Sequence, residues 1–183
     1  MKNPTQRRVF LIGLRGVGKT TLARRLGKLL GWPWLDADQV LAERQGRTIE
    51  SIFADDGEVA FRGLERELMR DLTLPAPLVL ATGGGVVLDA DSRTWLTERG
   101  VVVWLTADPI VLANRLASDP ATRVQRPALT DLPTELEIRK LLQQRDHLYR
   151  ECADLILDTT SESPEQLGLE LLKELQCLMP FPT

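Results

Sequence analysis

The sequence predicts an α/β protein, a three-layer fold with a five-stranded parallel β-sheet between layers of helices. Three observations support this prediction. Short apolar runs alternate along the chain with segments whose apolar residues have helical spacing, the first apolar run is followed by a glycine-rich segment, and polar residues follow the next runs. Such alternation is typical of parallel βαβ units. At 183 residues the chain is long enough for one domain with a core and short for two. We therefore expect a single domain over residues 1–183.

The apolar runs and the helical spacing give the order of the expected elements. The expected strands cover residues 9–12, 34–35, 78–81, 101–105 and 155–157. The expected helices cover residues 19–30, 38–45, 49–55, 57–72, 90–99, 109–117, 134–151 and 164–178. Residues 118–133 contain three prolines and few apolar side chains, which predicts a mobile loop or lid.

Composition excludes several classes of protein. Hydrophobic residues make up 43% of the chain and charged residues 27%, ordinary values that argue against disorder and against a membrane protein. No apolar run approaches bilayer length, and the N-terminal segment does not resemble a cleavable signal. A net charge of −3 gives no general attraction to nucleic acid. We expect a cytoplasmic monomer that binds neither membrane nor nucleic acid, with Cys152 and Cys177 as reduced thiols.

The segment from Gly13 to Thr20 matches GxxxxGK followed by Ser or Thr at every fixed position. In this pattern glycines let backbone N–H groups converge on phosphate oxygens, the lysine reaches the terminal phosphates and the hydroxyl binds Mg²⁺. The flanking strand and helix are those the pattern requires, and the helix N-terminus adds its dipole to the anion site. The candidate ATP-binding residues are Gly13, Arg15, Gly16, Val17, Gly18, Lys19, Thr20 and Thr21.

Two aspartates follow the second expected strand. Asp36 comes directly after Trp34 and Leu35, so it is expected at a strand end beside Thr20, where the two would bind Mg²⁺. Asp38 begins a helical segment and has two possible roles. It is either the N-cap of that helix or the group that accepts the proton of a substrate hydroxyl.

Arginines and glycines supply a candidate site for an anionic acceptor. Arg62 and Glu65 lie on one helix face at pairing distance, and Arg126 and Arg145 lie in and after the expected lid. Arginines beyond the needs of the nucleotide suggest a carboxylate on the acceptor, because a carboxylate matches the guanidinium fork. Three glycines after the third strand, residues 83–85, would allow a ligand to lie against backbone amides.

Taken together these motifs resemble those of the shikimate kinase family, from about residue 8 to the helix after Pro164. The matching segments are GLRGVGKT (13–20), DAD (36–38), FRGLE (61–65), ATGGG (81–85), RPAL (126–129) and RDHLY (145–149). The resemblance implies a P-loop kinase fold with a lid and transfer of the ATP γ-phosphate to the 3-hydroxyl of shikimate, a step of aromatic amino acid biosynthesis.

The resemblance also implies roles for individual residues. Lys19 and Arg126 would assist catalysis at the phosphates, and Asp38 would bind the acceptor hydroxyls as the base. The shikimate-binding residues would be Asp38, Arg62, Glu65, Gly83, Gly84, Gly85 and Arg145, with the two arginines on the carboxylate and Glu65 orienting Arg62. Arg15 and His147 depart from the common pattern, since these positions often hold Met and Pro.

Two alternatives remain open at this stage. One is another small-metabolite or nucleoside monophosphate kinase with the same phosphate loop. The other is a non-catalytic shikimate-sensing domain, against which the presence of Lys19, Asp36 and Asp38 argues because a decayed kinase would lack several such groups.

Overall fold

The structure, a computed structural model, describes residues 7–71, 76–118 and 134–178. Within these ranges five strands form one parallel sheet: β1 (Arg8–Ile12), β2 (Trp34–Asp36), β3 (Leu78–Ala81), β4 (Val101–Thr106) and β5 (Leu155–Asp158). The strand order is β2-β3-β1-β4-β5, so β1 lies at the centre. Because the carboxyl ends of parallel strands share one edge of the sheet, the segments after β1, β2 and β3 meet there.

The described helices connect the strands. They are α1 (Lys19–Leu30), α2 (Ala37–Gln45), α3 (Ile49–Asp71), α4 (Ala90–Arg99), α5 (Pro109–Ser118), α6 (Thr134–Cys152) and α7 (Pro164–Leu178), with a 3₁₀ turn at Val86–Leu88. Helix α1 packs on β3 and on α7, while α4 and α6 pack on β4. The sheet is therefore flanked by helices, and the predicted fold class is confirmed.

The core is centred on β1. Val9, Phe10, Leu11 and Ile12 are all 0% exposed, because the strand has a neighbour on each side and helices cover the sheet. A strand that is buried on both faces has a continuous run of apolar residues in its sequence, and this run allowed β1 to be predicted. The same central position fixes the start of the glycine-rich segment that follows it.

Several boundaries differ from the prediction by one residue, and two differences change an element that bears on the site. Strand β2 extends to Asp36 and α2 begins at Ala37, so the N-cap of α2 is Asp36, whose side chain accepts from the backbone N–H groups of Asp38 and Gln39. The alternative that made Asp38 the N-cap is wrong, because the helix starts one residue earlier. The two helices expected on either side of residue 56 form α3, which is interrupted at Gly57 with φ 81° and ψ 174°.

Most of the expected lid lies outside the described residues. Its first residue, Ser118, ends α5, whereas residues 119–133, Arg126 among them, lie outside the described residues. Among the helices that the structure does describe, none has both the length and the apolar character needed to cross a bilayer.

Candidate active site

The glycine-rich segment joins β1 to α1 in a conformation that depends on its glycines. Gly13, Gly16 and Gly18 have φ values of 136°, 80° and 93°, in the region that side chains disfavour. A Cβ atom on Gly13 would lie 2.3 Å from the carbonyl oxygen of Leu105, so only glycine lets this loop approach β4. The Lys19 ammonium folds over the loop and donates to the carbonyl oxygens of Gly13 and Leu14, both at 2.8 Å.

A cleft of about 950 Å³ opens beside this loop. The predicted residues on its wall are Arg15, Gly16, Val17, Gly18, Lys19, Thr20, Thr21, Asp36, Asp38 and Gly84. A volume of this size accommodates a nucleotide. The structure thus brings the predicted phosphate-binding and metal-binding residues to one cavity.

Thr20 and Asp36 are in direct contact within the cleft. The Thr20 hydroxyl lies 2.5 Å from Oδ2 of Asp36, and Oδ1 of Asp36 accepts from the backbone N–H of Asp38 at 2.9 Å. Mg²⁺ is commonly held by one or two protein oxygens together with substrate phosphates and water, and this hydroxyl and carboxylate fit that preference. No cluster of three or more His, Cys, Asp or Glu side chains suited to a metal occurs in the described parts of the chain.

Asp38 lies in the first turn of α2 and lines the same cleft, half-buried. Its position follows from the cap formed by Asp36, which starts the helix one residue before Asp38. A carboxylate at a helix N-terminus is also favoured by the helix dipole. The Asp38 carboxylate therefore lines the same cleft as the phosphate loop.

Arg62 is held by two acidic residues of its own helix. Its Nη1 lies 2.6 Å from Oε2 of Glu65, which is 7% exposed, and its Nη2 lies 3.2 Å from Oε1 of the exposed Glu58. Burial lowers the pKa of Arg62, but the charges and hydrogen bonds of Glu65 and Glu58 outweigh it and raise the pKa above its ordinary value. The guanidinium is thus permanently charged and fixed, as predicted for the Arg62 and Glu65 pair.

The second arginine, Arg145, extends from α6 to the glycine segment after β3. It is 7% exposed, and its Nη1 donates to the carbonyl oxygen of Gly84 at 3.2 Å. The neighbouring Gly85 lies against the Arg62 guanidinium, since a Cβ there would be 2.3 Å from Nη1 of Arg62. The two guanidinium groups therefore contact successive residues of one short backbone segment.

Both arginines retain an unused donor. Nε of Arg62 and Nε of Arg145 are buried and have no hydrogen-bond partner among the described residues. Neither side chain belongs to the cleft wall, whereas Gly84 does. The arginine pair thus lies next to the cleft, in contact with the glycine segment that contributes Gly84 to its wall.

Several residues of the site escaped the sequence analysis. Arg115 lines the cleft and donates to the hydroxyl and carbonyl oxygens of Thr159, whose hydroxyl in turn donates to the carbonyl oxygen of Val17. Glu137, 2% exposed, forms an ion pair with Arg15 at 3.4 Å. These contacts join residues that are far apart in sequence, so no local sequence pattern predicts them. The position of Arg115 just before the expected lid was the one feature of the sequence that could have suggested a role in the site.

The comparisons with known proteins agree with this geometry. A family model described as shikimate kinase matches residues 15–176. The chain belongs to the shikimate kinase family. A shikimate kinase of Rhodopirellula baltica is 38% identical over 90% of this chain and 88% of its own length, and one of Thermosynechococcus vestitus is 41% identical over 93% and 91%.

Solved structures give the same assignment. A shikimate kinase from Acinetobacter baumannii in complex with shikimate superposes with a TM-score of 0.88 at 36% identity, covering 96% of each chain. A gluconokinase from Sinorhizobium meliloti has a TM-score of 0.55 at 16% identity and shares the fold alone. The predicted family is confirmed, as is the prediction that the chain is an ATP-dependent kinase.

Proposed function

We propose that this shikimate kinase family member transfers the γ-phosphoryl group of ATP to the 3-hydroxyl of shikimate, giving shikimate 3-phosphate and ADP. The observation that supports this most directly is the pair of guanidinium groups, Arg62 and Arg145, on the glycine segment beside the phosphate loop. A nucleoside monophosphate needs phosphate contacts, whereas a small carboxylic acid with ring hydroxyls matches two guanidinia and a nearby base.

The nucleotide phosphates would bind to the backbone N–H groups of the loop and to Lys19. The ammonium already lies over the loop, so it needs little reorganisation to neutralise the terminal phosphates. The nucleoside would extend along the part of the cleft wall that Arg115 and Pro164 form, and Asp38 would serve the acceptor.

Thr20 and Asp36 would hold Mg²⁺, which supplies charge neutralisation between the β and γ phosphates when bound. The other contributions to catalysis would come from side chains of the protein. Thr20 and Asp36 fix the donor end of the reaction, while Lys19 balances charge on the transferring group. Catalysis by such a site depends mostly on positioning.

At the acceptor end, Asp38 would accept the proton of the attacking hydroxyl, and Arg62 and Arg145 would hold the carboxylate through their guanidinium groups. Glu65 keeps Arg62 in place. Gly83 to Gly85 present backbone rather than side chains next to the ring. Arg126 in the lid would bridge phosphate and substrate, and lid closure would exclude water as a competing acceptor.

We further propose that residues 1–183 act as one kinase domain, as a monomer in the cytoplasm. The residues proposed for the site all belong to one chain, so the site requires no second copy of the protein. Size-exclusion chromatography with light scattering tests the monomer directly.

A coupled ADP-release assay tests the reaction. Shikimate, quinate, gluconate and nucleoside monophosphates are compared at equal concentration with MgATP. Shikimate should be phosphorylated with much the highest kcat/KM, because its flat ring carboxylate and ring hydroxyls are the groups that the arginine pair and Asp38 are proposed to bind. Faster turnover of quinate, gluconate or a nucleoside monophosphate would reject the proposal. Tight shikimate binding by calorimetry without ADP release would instead support the sensing domain.

A further inference from the structure

The carbonyl oxygen of Gly84 accepts hydrogen bonds from two side chains of α6. The Tyr149 hydroxyl donates at 2.6 Å and Nη1 of Arg145 at 3.2 Å. The two donors are four residues apart on the helix, a spacing that puts them on one face. The shorter of the two bonds belongs to the tyrosine, which has no role in the site described above.

Tyr149 is inaccessible to a substrate. Its side chain is 0% exposed, and its ring stacks on Trp104 of β4 with centroids 5.6 Å apart. Burial raises the pKa of Tyr149 to about 12, with the charge of Arg145 opposing the increase, so the hydroxyl stays a neutral donor through the physiological range. Any effect of Tyr149 on the reaction must pass through the groups that it holds.

Gly84 lies between the donor and acceptor halves of the site. A Cβ atom there would be 3.4 Å from the backbone nitrogen of Arg15 and 3.5 Å from the carbonyl oxygen of Gly13, so its backbone packs directly on the phosphate loop. Gly85, the next residue, packs on Arg62. With no side chain available to adjust these contacts, the anchoring of the Gly84 carbonyl fixes the distance from the loop to the arginine pair.

We propose that Tyr149 is a positioning residue for phosphoryl transfer. Tyr149 holds the Gly84 carbonyl by its hydrogen bond and thereby fixes the positions of Arg145 and the glycine segment. Their distance from the phosphate loop is then the distance that a small carboxylic acid acceptor requires. The inference deepens the proposed function and depends on it for the identity of the acceptor. Its physical basis is that a bond from a fully buried donor has no water to replace it when the donor is removed.

Steady-state kinetics of Tyr149→Phe test this inference. The substitution keeps the ring and its packing on Trp104 but removes the donor. KM for shikimate should rise roughly three- to tenfold, the size expected for one buried neutral hydrogen bond, and kcat should fall, while KM for ATP stays within about twofold. The matched control is Ser92→Ala, which removes another buried hydroxyl, one that donates to Asp89 instead, and it should change neither KM.

Wild-type kinetics separate the two proposals. If the wild-type protein does not phosphorylate shikimate, the proposed function fails; if it does and Tyr149→Phe has unchanged shikimate KM and kcat, only the positioning role fails. A parallel rise of both KM values together with a lower melting temperature also overturns that role, since it indicates general loosening.

A second measurement does not depend on the folding of the variant. The chain contains a single tyrosine, so 3-fluorotyrosine incorporation places one fluorine label at Tyr149. Shikimate should shift this ¹⁹F resonance although the ring is buried away from it, because Arg145 and the glycine segment adjust on binding. An unchanged resonance at saturating shikimate overturns the inference.

Discussion

The Thr20 hydroxyl and Oδ2 of Asp36 lie 2.5 Å apart, which joins the start of α1 to the end of β2. Asp36 therefore has two tasks, because its other oxygen caps α2 through the backbone N–H groups of Asp38 and Gln39. One carboxylate links the proposed metal site to the helix that presents the proposed base. The two tasks are separable by substitution.

Asp36→Asn should weaken Mg²⁺ activation while preserving the fold. Asn is as good an N-cap as Asp, so α2 remains intact, but the negative charge is lost. The Mg²⁺ concentration for half-maximal rate should rise by on the order of tenfold or more, which corresponds to about 1.4 kcal/mol. Initial rates against MgCl₂ at fixed ATP measure it. Asp36→Ala should show the same Mg²⁺ effect and, in addition, lose about 1 kcal/mol of stability with the cap. An unaltered Mg²⁺ dependence in both variants would exclude Asp36 as a ligand.

Asp38→Asn should lower kcat by roughly 10²- to 10⁴-fold, the contribution typical of a general base. The affinity for ATP should change little, because the proposed ATP and Mg²⁺ contacts are made by the phosphate loop and Asp36 and not by Asp38. Calorimetry with a non-hydrolysable ATP analogue and single-turnover kinetics measure the two quantities. Glu43→Gln is the matched control, since it makes the same chemical change on the exposed side of α2. Near-normal turnover of Asp38→Asn would remove the base assignment.

Arg145→Ala should raise KM for shikimate by roughly 10- to 100-fold, as expected for loss of a charged hydrogen-bonding group. Arg145→Lys should restore only part of the loss, because the ammonium lacks the planar fork that matches a carboxylate. Arg150→Ala is the control, since Arg150 is exposed on the same helix and pairs with Asp146. Shikimate titrations at saturating MgATP decide the matter. Equal KM values for the wild type and Arg145→Ala would take the residue out of the carboxylate site.

Arg15 and Glu137 should be energetically coupled. Glu137 is buried, so Arg15→Met leaves a buried carboxylate without this counter-charge, and stability should fall. Adding Glu137→Gln should recover part of the loss, with a coupling energy of about 1 kcal/mol in a double-mutant cycle of thermal or urea unfolding. Additive single effects would show that the pair contributes nothing. The contact matters for function because it ties the phosphate loop to α6.

Local patterns in the sequence predicted the fold and most of the donor site. The apolar run of β1, the glycine loop and α1 are contiguous, so their chemistry could be deduced without knowing any long-range contact. One of the two roles considered for Asp38, the N-cap of α2, is wrong. Asp36 and Asp38 are equally suitable by type, and the point where β2 ends and α2 begins decides between them.

The interior of the acceptor site was harder to predict. The spacing of Arg62 and Glu65 showed their pairing, and Glu58 could have been added from the same periodicity. The role of Tyr149 had no such signal, because it depends on a backbone carbonyl 65 residues away in the sequence. A hydrogen bond between a helix side chain and a distant backbone carbonyl depends on which strand end lies next to which helix. That arrangement is known only once the sheet and its helices are assembled.

The alkaline stability of the protein should depend on Tyr149. Burial raises the pKa of Tyr149 to about 12 in the folded protein, whereas tyrosine in the unfolded chain has its ordinary pKa of 10.0. From about pH 10 upward the unfolded chain loses a proton that the folded protein keeps, so stability falls through this window and is unaffected below it, by up to about 3 kcal/mol at its upper end. Since there is one tyrosine, phenolate absorbance follows this group alone. The native titration midpoint should lie well above that in denaturant, and Tyr149→Phe should lose less stability between pH 10 and 12. A phenolate signal that rises near pH 10 while the circular dichroism spectrum stays native would contradict the burial of a protonated donor at Gly84.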